Sequence, residues 1–231
     1  MSIELVVFDW DGTLIDSTGR IADCLQLAAQ ETGMPLLPRE RYLGIIGLGL
    51  PEAFRTLYPD SDDETRAELR RHYARHYIAL GDESPCQPYD GALELLDALQ
   101  ARGLQLAVAT GKNRPGLERA FEQTGLRDRF HLSRTADETA SKPDPQMLNE
   151  ILAELSLPPS RALMVGDTGF DLEMAARAGV PSVGLTHGAH GIDELRRHRP
   201  LALVDHLLHV LSIVDRAREN PVNLQRSGVL T

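Results

Sequence analysis

Leu5-Val6-Val7-Phe8-Asp9-Trp10-Asp11-Gly12-Thr13-Leu14 reads as a buried strand that delivers two carboxylates and then turns on a glycine. In an extended chain, residues two apart face the same way, so Asp9 and Asp11 meet at the carboxyl end of that strand. Open α/β sheets bind their ligands at such ends. Two like charges a few ångströms apart raise each other's pKa unless a cation intervenes. Keeping both carboxylates ionised therefore calls for a metal, a lysine or an arginine close by.

The 231 residues, 42% of them hydrophobic, suffice to bury one large core or two modest ones. A formal net charge of -10 and a pI near 5.3 argue against a dedicated binder of nucleic acid or of anionic membranes, both of which need clustered Lys and Arg. Cys24 and Cys86 have no metal-ligand spacing and are too few for a disulfide framework. They read as small apolar packing residues in a reducing compartment. No basic segment with a following apolar run precedes the first strand, and no apolar stretch approaches the roughly 20 residues that span a bilayer. The expectation is a cytoplasmic enzyme.

Short apolar runs at 3–8, 104–109, 129–132, 162–165, 182–185 and 201–204 read as buried parallel strands. Helical patterns lie between most of them: 90–101 with Leu93, Leu96 and Leu99, 115–124, 145–155, and 170–178 stopped by Gly179. The alternation predicts an α/β fold, a parallel sheet with helices on both faces. One gap breaks the rhythm, because the second strand starts far beyond the roughly 30 residues of a strand-helix-strand unit. Residues 16–85 carry their own helical periodicities: Ile21, Cys24, Leu25 and Ala28; Leu50, Ala53, Phe54 and Leu57; Leu69, Tyr73, His76 and Leu80. They read as an inserted helical cap, with a catalytic core at 1–15 and 86–215 and a loosely ordered polar tail at 216–231.

Three further segments bear on chemistry. Thr110-Gly111-Lys112 follows a strand, and a hydroxyl beside a glycine suits phosphate binding, although a plain turn would read the same. Lys142, in Ser141-Lys142-Pro143-Asp144-Pro145, precedes a helix whose dipole disfavours a cation there, which implies a local negative partner. Asp144 suits an N-cap. Gly166-Asp167-Thr168-Gly169-Phe170-Asp171 again ends a buried strand in carboxylates, which would share a helix face or cap that helix. Three strands thus end in acidic or hydroxyl groups on one edge of the sheet.

These four segments, in this order from Asp9 to Asp171, resemble the haloacid dehalogenase superfamily, and the insertion resembles its small α-helical cap. The chain is most similar to the phosphoglycolate phosphatase-like subgroup. That resemblance implies a Rossmann-like core and a phosphatase in which Asp9 attacks phosphorus, forms an aspartyl-phosphate and so splits hydrolysis into two displacements. Asp11 would be the general acid and base. Thr110, Gly111 and the backbone from Trp10 to Gly12 would hold the phosphoryl oxygens, with Lys142 offsetting their charge. Mg²⁺ would be held by Asp9, Asp167, the Asp11 carbonyl and Asp171, directly or through water.

Dehalogenases of the superfamily lack a carboxylate where this chain has Asp11, so Asp11, Thr13 and Asp167 together point to phosphoryl transfer. The loop Ile45 to Pro51, with Gly47 and Leu48, looks like the cap loop that reads the leaving group, although it would also serve as a helix connection. Family phosphomutases tend to carry an arginine near the position of Leu50, which argues against a mutase. The expected partner is a small phosphorylated metabolite, with Arg20, Arg55 or Arg114 as candidate contacts for a substrate carboxylate. A generalist sugar-phosphate or nucleotide phosphatase and a non-catalytic regulator remain as alternatives, and the protein would be a monomer or homodimer.

Overall fold

A computed structural model of the protein describes residues 3–219. Six strands among them, β1 (Leu5–Phe8), β2 (Gln105–Thr110), β3 (Leu132–Thr135), β4 (Ala162–Gly166), β5 (Ser182–Leu185) and β6 (Ala202–Val204), form one parallel sheet. Its spatial order is β3-β2-β1-β4-β5-β6. Strand order reverses between β1 and β4, and a crevice opens outside the strand ends at such a switch point. Asp9 and Asp167 follow these two strands directly.

The two strands at the switch point, β1 and β4, carry no polar side chain because both faces are covered. On β1, Val6 and Phe8 join an apolar cluster with α5 (Ala92–Ala101), α6 (Arg114–Thr124) and α10 (His209–Glu219). Leu5 and Val7 join the opposite one, with α7 (Gln146–Glu154) and α8 (Gly169–Ala178). A strand's side chains alternate between faces, so a four-residue run feeds both layers. Edge strand β3 departs from the expected 129–132: residues Arg127–Arg129 form a 3₁₀ turn, and Leu132–Thr135 makes the ladder with β2. Its residues Ser133 and Arg134 are half-buried, so no apolar run marks it.

Between β1 and α5 the chain forms four helices: α1 (Thr18–Glu31), α2 (Arg39–Leu43), α3 (Leu50–Leu57) and α4 (Asp63–Glu83). They enclose an apolar cluster of their own, in which Leu25, Tyr42, Phe54 and Leu69 are fully buried. The Asp62 carboxylate caps α4 by accepting from the Thr65 N–H at 2.8 Å. The buried stripe of α4 differs from the expected one. It runs Leu69, Tyr73 and Gly81, whereas Leu80 is exposed and His76 is half-buried, its Nε2 3.0 Å from Glu31.

Leu93 of α5 is exposed, and Ala92, Leu95, Leu96 and Leu99 carry that helix's buried face. Short helix α9 (Ile192–Arg197) lies between β5 and β6. Helix α10 continues through residues 216–219, which the sequence reading placed in a tail, because Ala217 completes an apolar face with Val210, Ile213 and Val214. The rest of that expected tail, 220–231, lies outside the described residues. No helix among the described residues is long and apolar enough to cross a membrane.

Because the inserted helices own a separate core, truncating its centre should weaken them directly. Phe54→Ala is expected to cost about 3–5 kcal/mol in urea-induced unfolding. A cost under about 1 kcal/mol would mean that the cluster closes over the missing ring.

Candidate active site

Asp9 leaves β1 with its side chain 1% exposed, and the Lys142 ammonium lies 2.6 Å from its Oδ1. The same ammonium lies 2.6 Å from Asp171 Oδ1. Lys142 reaches both carboxylates from the loop before α7, which supplies the negative partners that its position demands. Burial opposes its charge, yet Asp171 and Asp9 outweigh burial and hold it above the usual lysine range. Asp144 accepts from the Gln146 N–H at 2.9 Å and so helps to start α7.

Asp171 also caps α8. Its Oδ2 accepts from the Thr168 N–H at 3.1 Å and the Thr168 hydroxyl at 2.7 Å, closing a capping box. Thr168 is the N-cap and Asp171 the third helical residue of that box, so one Asp171 oxygen serves the helix start and the other Lys142. Asp167 accepts from Thr13 Oγ1 at 2.6 Å and from the Ala189 N–H at 2.7 Å. A Cβ on Gly188 would stand 2.1 Å from its Oδ2, and one on Gly12, where φ is +83°, would stand 2.3 Å away. Only glycine permits both backbones to approach so closely.

One oxygen from each of Asp9, Asp167 and Asp171 can be chosen so that all three lie within 4.8 Å of one another. Burial pushes the Asp9 carboxyl well up, with Lys142 opposing and Asp171 adding to the rise. Burial and then Asp171 push Asp167 up to about 7. One lysine thus leaves the carboxylates under-compensated. Asp9 Oδ2 is buried with no hydrogen-bond partner among the described residues. Hard oxygen donors around an unpartnered buried carboxylate oxygen fit a small divalent cation such as Mg²⁺.

Asp11 stands apart from this trio. Its Oδ1 accepts from Ser17 Oγ at 2.6 Å, and Lys112 Nζ lies 3.0 Å away. Thr110 is buried, with its Oγ1 accepting from the Lys112 N–H at 3.2 Å. A Cβ on Gly111 would lie 2.6 Å from the carbonyl oxygens of Gly47 and Leu48, so the inserted loop rests on this turn. Gly49 N–H also donates to Ser141 Oγ at 2.8 Å. The insertion therefore lies closed against the sheet's strand ends.

Between them is a chamber of about 220 Å³. Asp9, Asp11, Gly47, Gly111 and Lys112 line it from the loops; Ile21, Ile46, Leu50, Tyr73, Tyr77 and Ile78 form an apolar and aromatic wall. Leu48 does not line it, and its side chain packs into the insertion's apolar cluster. Trp10 does not line it either; its indole is turned away, packed edge-on against Phe121 at 5.1 Å.

None of the arginines proposed from sequence lines the chamber. Arg20 is bound to the Ser84 carbonyl, Arg55 to Glu52 at 3.0 Å and Arg114 to Glu138 at 2.6 Å. Lys112 and Arg119 do line it. Sequence reading passed over both, and also over Tyr77, Ser17 and Ala189. Cys24 and Cys86 are free thiols, and both pack against apolar clusters.

Residues 6–185 match the haloacid dehalogenase-like hydrolase family, spanning every residue placed around the chamber and the carboxylate trio except Ala189 and Gly188. The chain belongs to this family. A protein of Dickeya dadantii named "Probable phosphatase IndB" is 34% identical, with 87% of this chain and 89% of that protein covered. "Phosphoglycolate phosphatase" of Vibrio vulnificus is 31% identical over 92% of this chain and 96% of its own. The crystal structure of a hydrolase from Pseudomonas syringae superposes with a TM-score of 0.83 at 26% identity, covering 92% of this chain and 98% of that one. In this haloacid dehalogenase-like hydrolase the helical insertion and the doubly covered sheet thus both have counterparts along almost the whole chain.

The raised Asp167 carboxyl carries a signed consequence for the metal-free protein. Its folded pKa, about 7, lies above the unfolded value of 3.8, so the fold binds this proton more tightly and loses relative stability as pH rises between the two. In chelator, Asp167→Asn should therefore gain stability relative to the wild type from about pH 4 to pH 7. Thermal melts of both proteins across that range test it, and parallel curves would place Asp167's pKa near its unfolded value.

Proposed function

We propose that the protein is a Mg²⁺-dependent phosphatase that hydrolyses a small phosphomonoester through an aspartyl-phosphate on Asp9. The observation that carries this reading is the state of Asp9: fully buried at the sheet's switch point, one oxygen fixed by Lys142 and the other unpartnered. A carboxylate so fixed has no freedom to turn away from a phosphorus atom delivered through the chamber. Family membership and relatives named as phosphatases support the same chemistry.

Residues 16–85 would act as the cap and residues 1–15 with 86–215 as the catalytic core. In the first displacement an Asp9 oxygen bonds to phosphorus as the ester P–O bond breaks, and Asp11 gives its proton to the leaving oxygen. In the second, Asp11 takes a proton from the attacking water, and the Asp9–phosphorus bond breaks to release phosphate. Thr110, Gly111 and the N–H groups from Trp10 to Gly12 orient the phosphoryl oxygens, and Lys142 holds Asp9 while countering the anionic charge. Asp9, Asp167 and the Asp11 carbonyl, with Asp171 beside them, would hold Mg²⁺, which would supply further positive charge to the phosphoryl group.

The leaving group is short and carries an acidic group, as in phosphoglycolate. A chamber of about 220 Å³ is below the usual size of drug-sized ligand pockets. Lys112 and Arg119 are its cationic groups. A polyhydroxylated sugar would set unpaired hydroxyls against Ile21, Ile46, Leu50 and Ile78, which is costly.

Phosphate release from phosphoglycolate, sugar phosphates, nucleotides and an aryl phosphate tests the proposal, with and without Mg²⁺. The expected result is turnover that chelator abolishes and that Asp9→Asn lowers by at least about 10⁴-fold. Full activity of Asp9→Asn would remove the aspartyl-phosphate, and equal rates on the whole panel would favour a generalist.

A further inference from the structure

The Lys112 ammonium, counted above only as a cationic group of the chamber wall, sits at a junction that the two displacements do not use. It lies 3.0 Å from Asp11 Oδ1 and 3.1 Å from the Tyr77 hydroxyl, and 4.6 Å from the centre of the Tyr77 ring. The Lys112 and Asp11 side chains are 10% and 11% exposed, so the pair is largely shielded from solvent and faces the chamber. Tyr77 belongs to α4 of the insertion, Lys112 to the loop after β2 and Asp11 to the loop after β1. Three separate segments meet at one cation.

Asp11 is held asymmetrically. Oδ1 accepts from the Ser17 hydroxyl and is ion-paired with Lys112. Oδ2 has no such partner among the described residues. An oxygen that already accepts a hydrogen bond and faces an ammonium is a poor place for the carboxyl proton, so protonated Asp11 carries its hydrogen on Oδ2. That oxygen is the one free to face a leaving group. Lys112 in turn is fixed by Tyr77, through the hydroxyl and the ring face. Tyr77 itself stacks on Tyr73 with centroids 5.7 Å apart and planes 27° from parallel.

Tyr77 reaches Lys112 because the insertion is closed. Nearby, the Arg119–Asp82 ion pair at 3.1 Å and the Gln123 side-chain amide on the Gly81 carbonyl at 3.2 Å tie α6 to the end of α4. We propose that Lys112, oriented by Tyr77 of the closed insertion, is a positioning residue that directs the proton-bearing oxygen of Asp11 at the leaving group. Closure then does two things at once: it shuts out water and completes the alignment of the acid. The proposal rests on the phosphatase reading, and in the step concerned the proton moves from Asp11 Oδ2 to the leaving oxygen as its bond to phosphorus breaks.

Leaving-group dependence separates this role from simple binding or folding. An alkoxide needs protonation as it departs, whereas a nitrophenolate leaves well without it. The experiment measures kcat and KM for Lys112→Met, Lys112→Arg and Tyr77→Phe on a series from nitrophenyl phosphate through phenyl phosphate to alkyl phosphates, with Mg²⁺ present. Lys112→Met is expected to lose about 100-fold in kcat on alkyl esters and about threefold on nitrophenyl phosphate. Tyr77→Phe, which keeps the ring but not the hydroxyl, should lose less with the same slope. Lys112→Arg should recover part of the alkyl-ester rate.

Equal losses on all esters, or a change confined to KM, would assign Lys112 to stability or binding and overturn the positioning role alone. A wild type that hydrolyses none of the esters would overturn the phosphatase reading and this role with it.

Discussion

A single ammonium buried between two carboxylates holds the site together. Lys142 touches Asp9 and Asp171 at 2.6 Å each, with none of the three exposed to water beyond 1%. Burying such charges costs several kcal/mol per ion unless geometry and hydrogen bonds compensate. Here the compensation is distributed: Thr168 serves the second oxygen of Asp171, and Thr13 and Ala189 serve Asp167. Asp9 is the exception, with one oxygen left unserved. The arrangement is stable enough to be fixed by its neighbours yet short of positive charge at one point, and that point is where an incoming cation or phosphoryl group would be received.

Placing this cluster requires the sheet order as much as the residues. Reversal between β1 and β4 separates the crossovers and leaves the strand ends that carry Asp9 and Asp167 open on one side. The helical insertion departs from the chain just after Asp11, so it needs no long linker to cover that opening. Its own apolar cluster makes it a stiff cover, and its contact with the core is made by small backbone groups at Gly47, Gly49 and Gly111. The chamber that results is charged at its floor and apolar at its roof.

The legible parts of the chain were those with a local signature. Central strands β1, β2, β4 and β5 are short apolar runs because both of their faces are buried, and helices α1, α3, α5 and α7 carry their spacing within one segment. Edge strand β3 has Ser133 and Arg134 where a central strand would have apolar residues, so its ladder with β2 left no mark. Helices α2 and α9, of five and six residues, are too short for a period to show. Helix α10 did carry an apolar period, Val210, Ile213, Val214 and Ala217, but Arg216 and Arg218 lie within it and made its end look like tail.

The candidate site divides along the same line. Asp9, Asp11, Asp167 and Lys142 stand at strand or helix ends where their residue types are conspicuous, so they could be singled out from sequence. Lys112 could not, although it follows Thr110-Gly111 directly. Its significance depends on Tyr77, 35 residues earlier on the exposed-looking flank of a helix, and on Asp11 in the loop after the neighbouring strand β1. In α4 the expected stripe ran through His76 and Leu80, one residue from Tyr77 and from buried Gly81. A helix that packs on its neighbours along one flank and faces a chamber along another has two apolar stripes, and a single period cannot describe both. The chamber residues of the insertion are therefore hidden in the sequence for a physical reason: tertiary closure brings them to the chamber, whereas Asp9 and Asp167 are fixed by the strands that directly precede them.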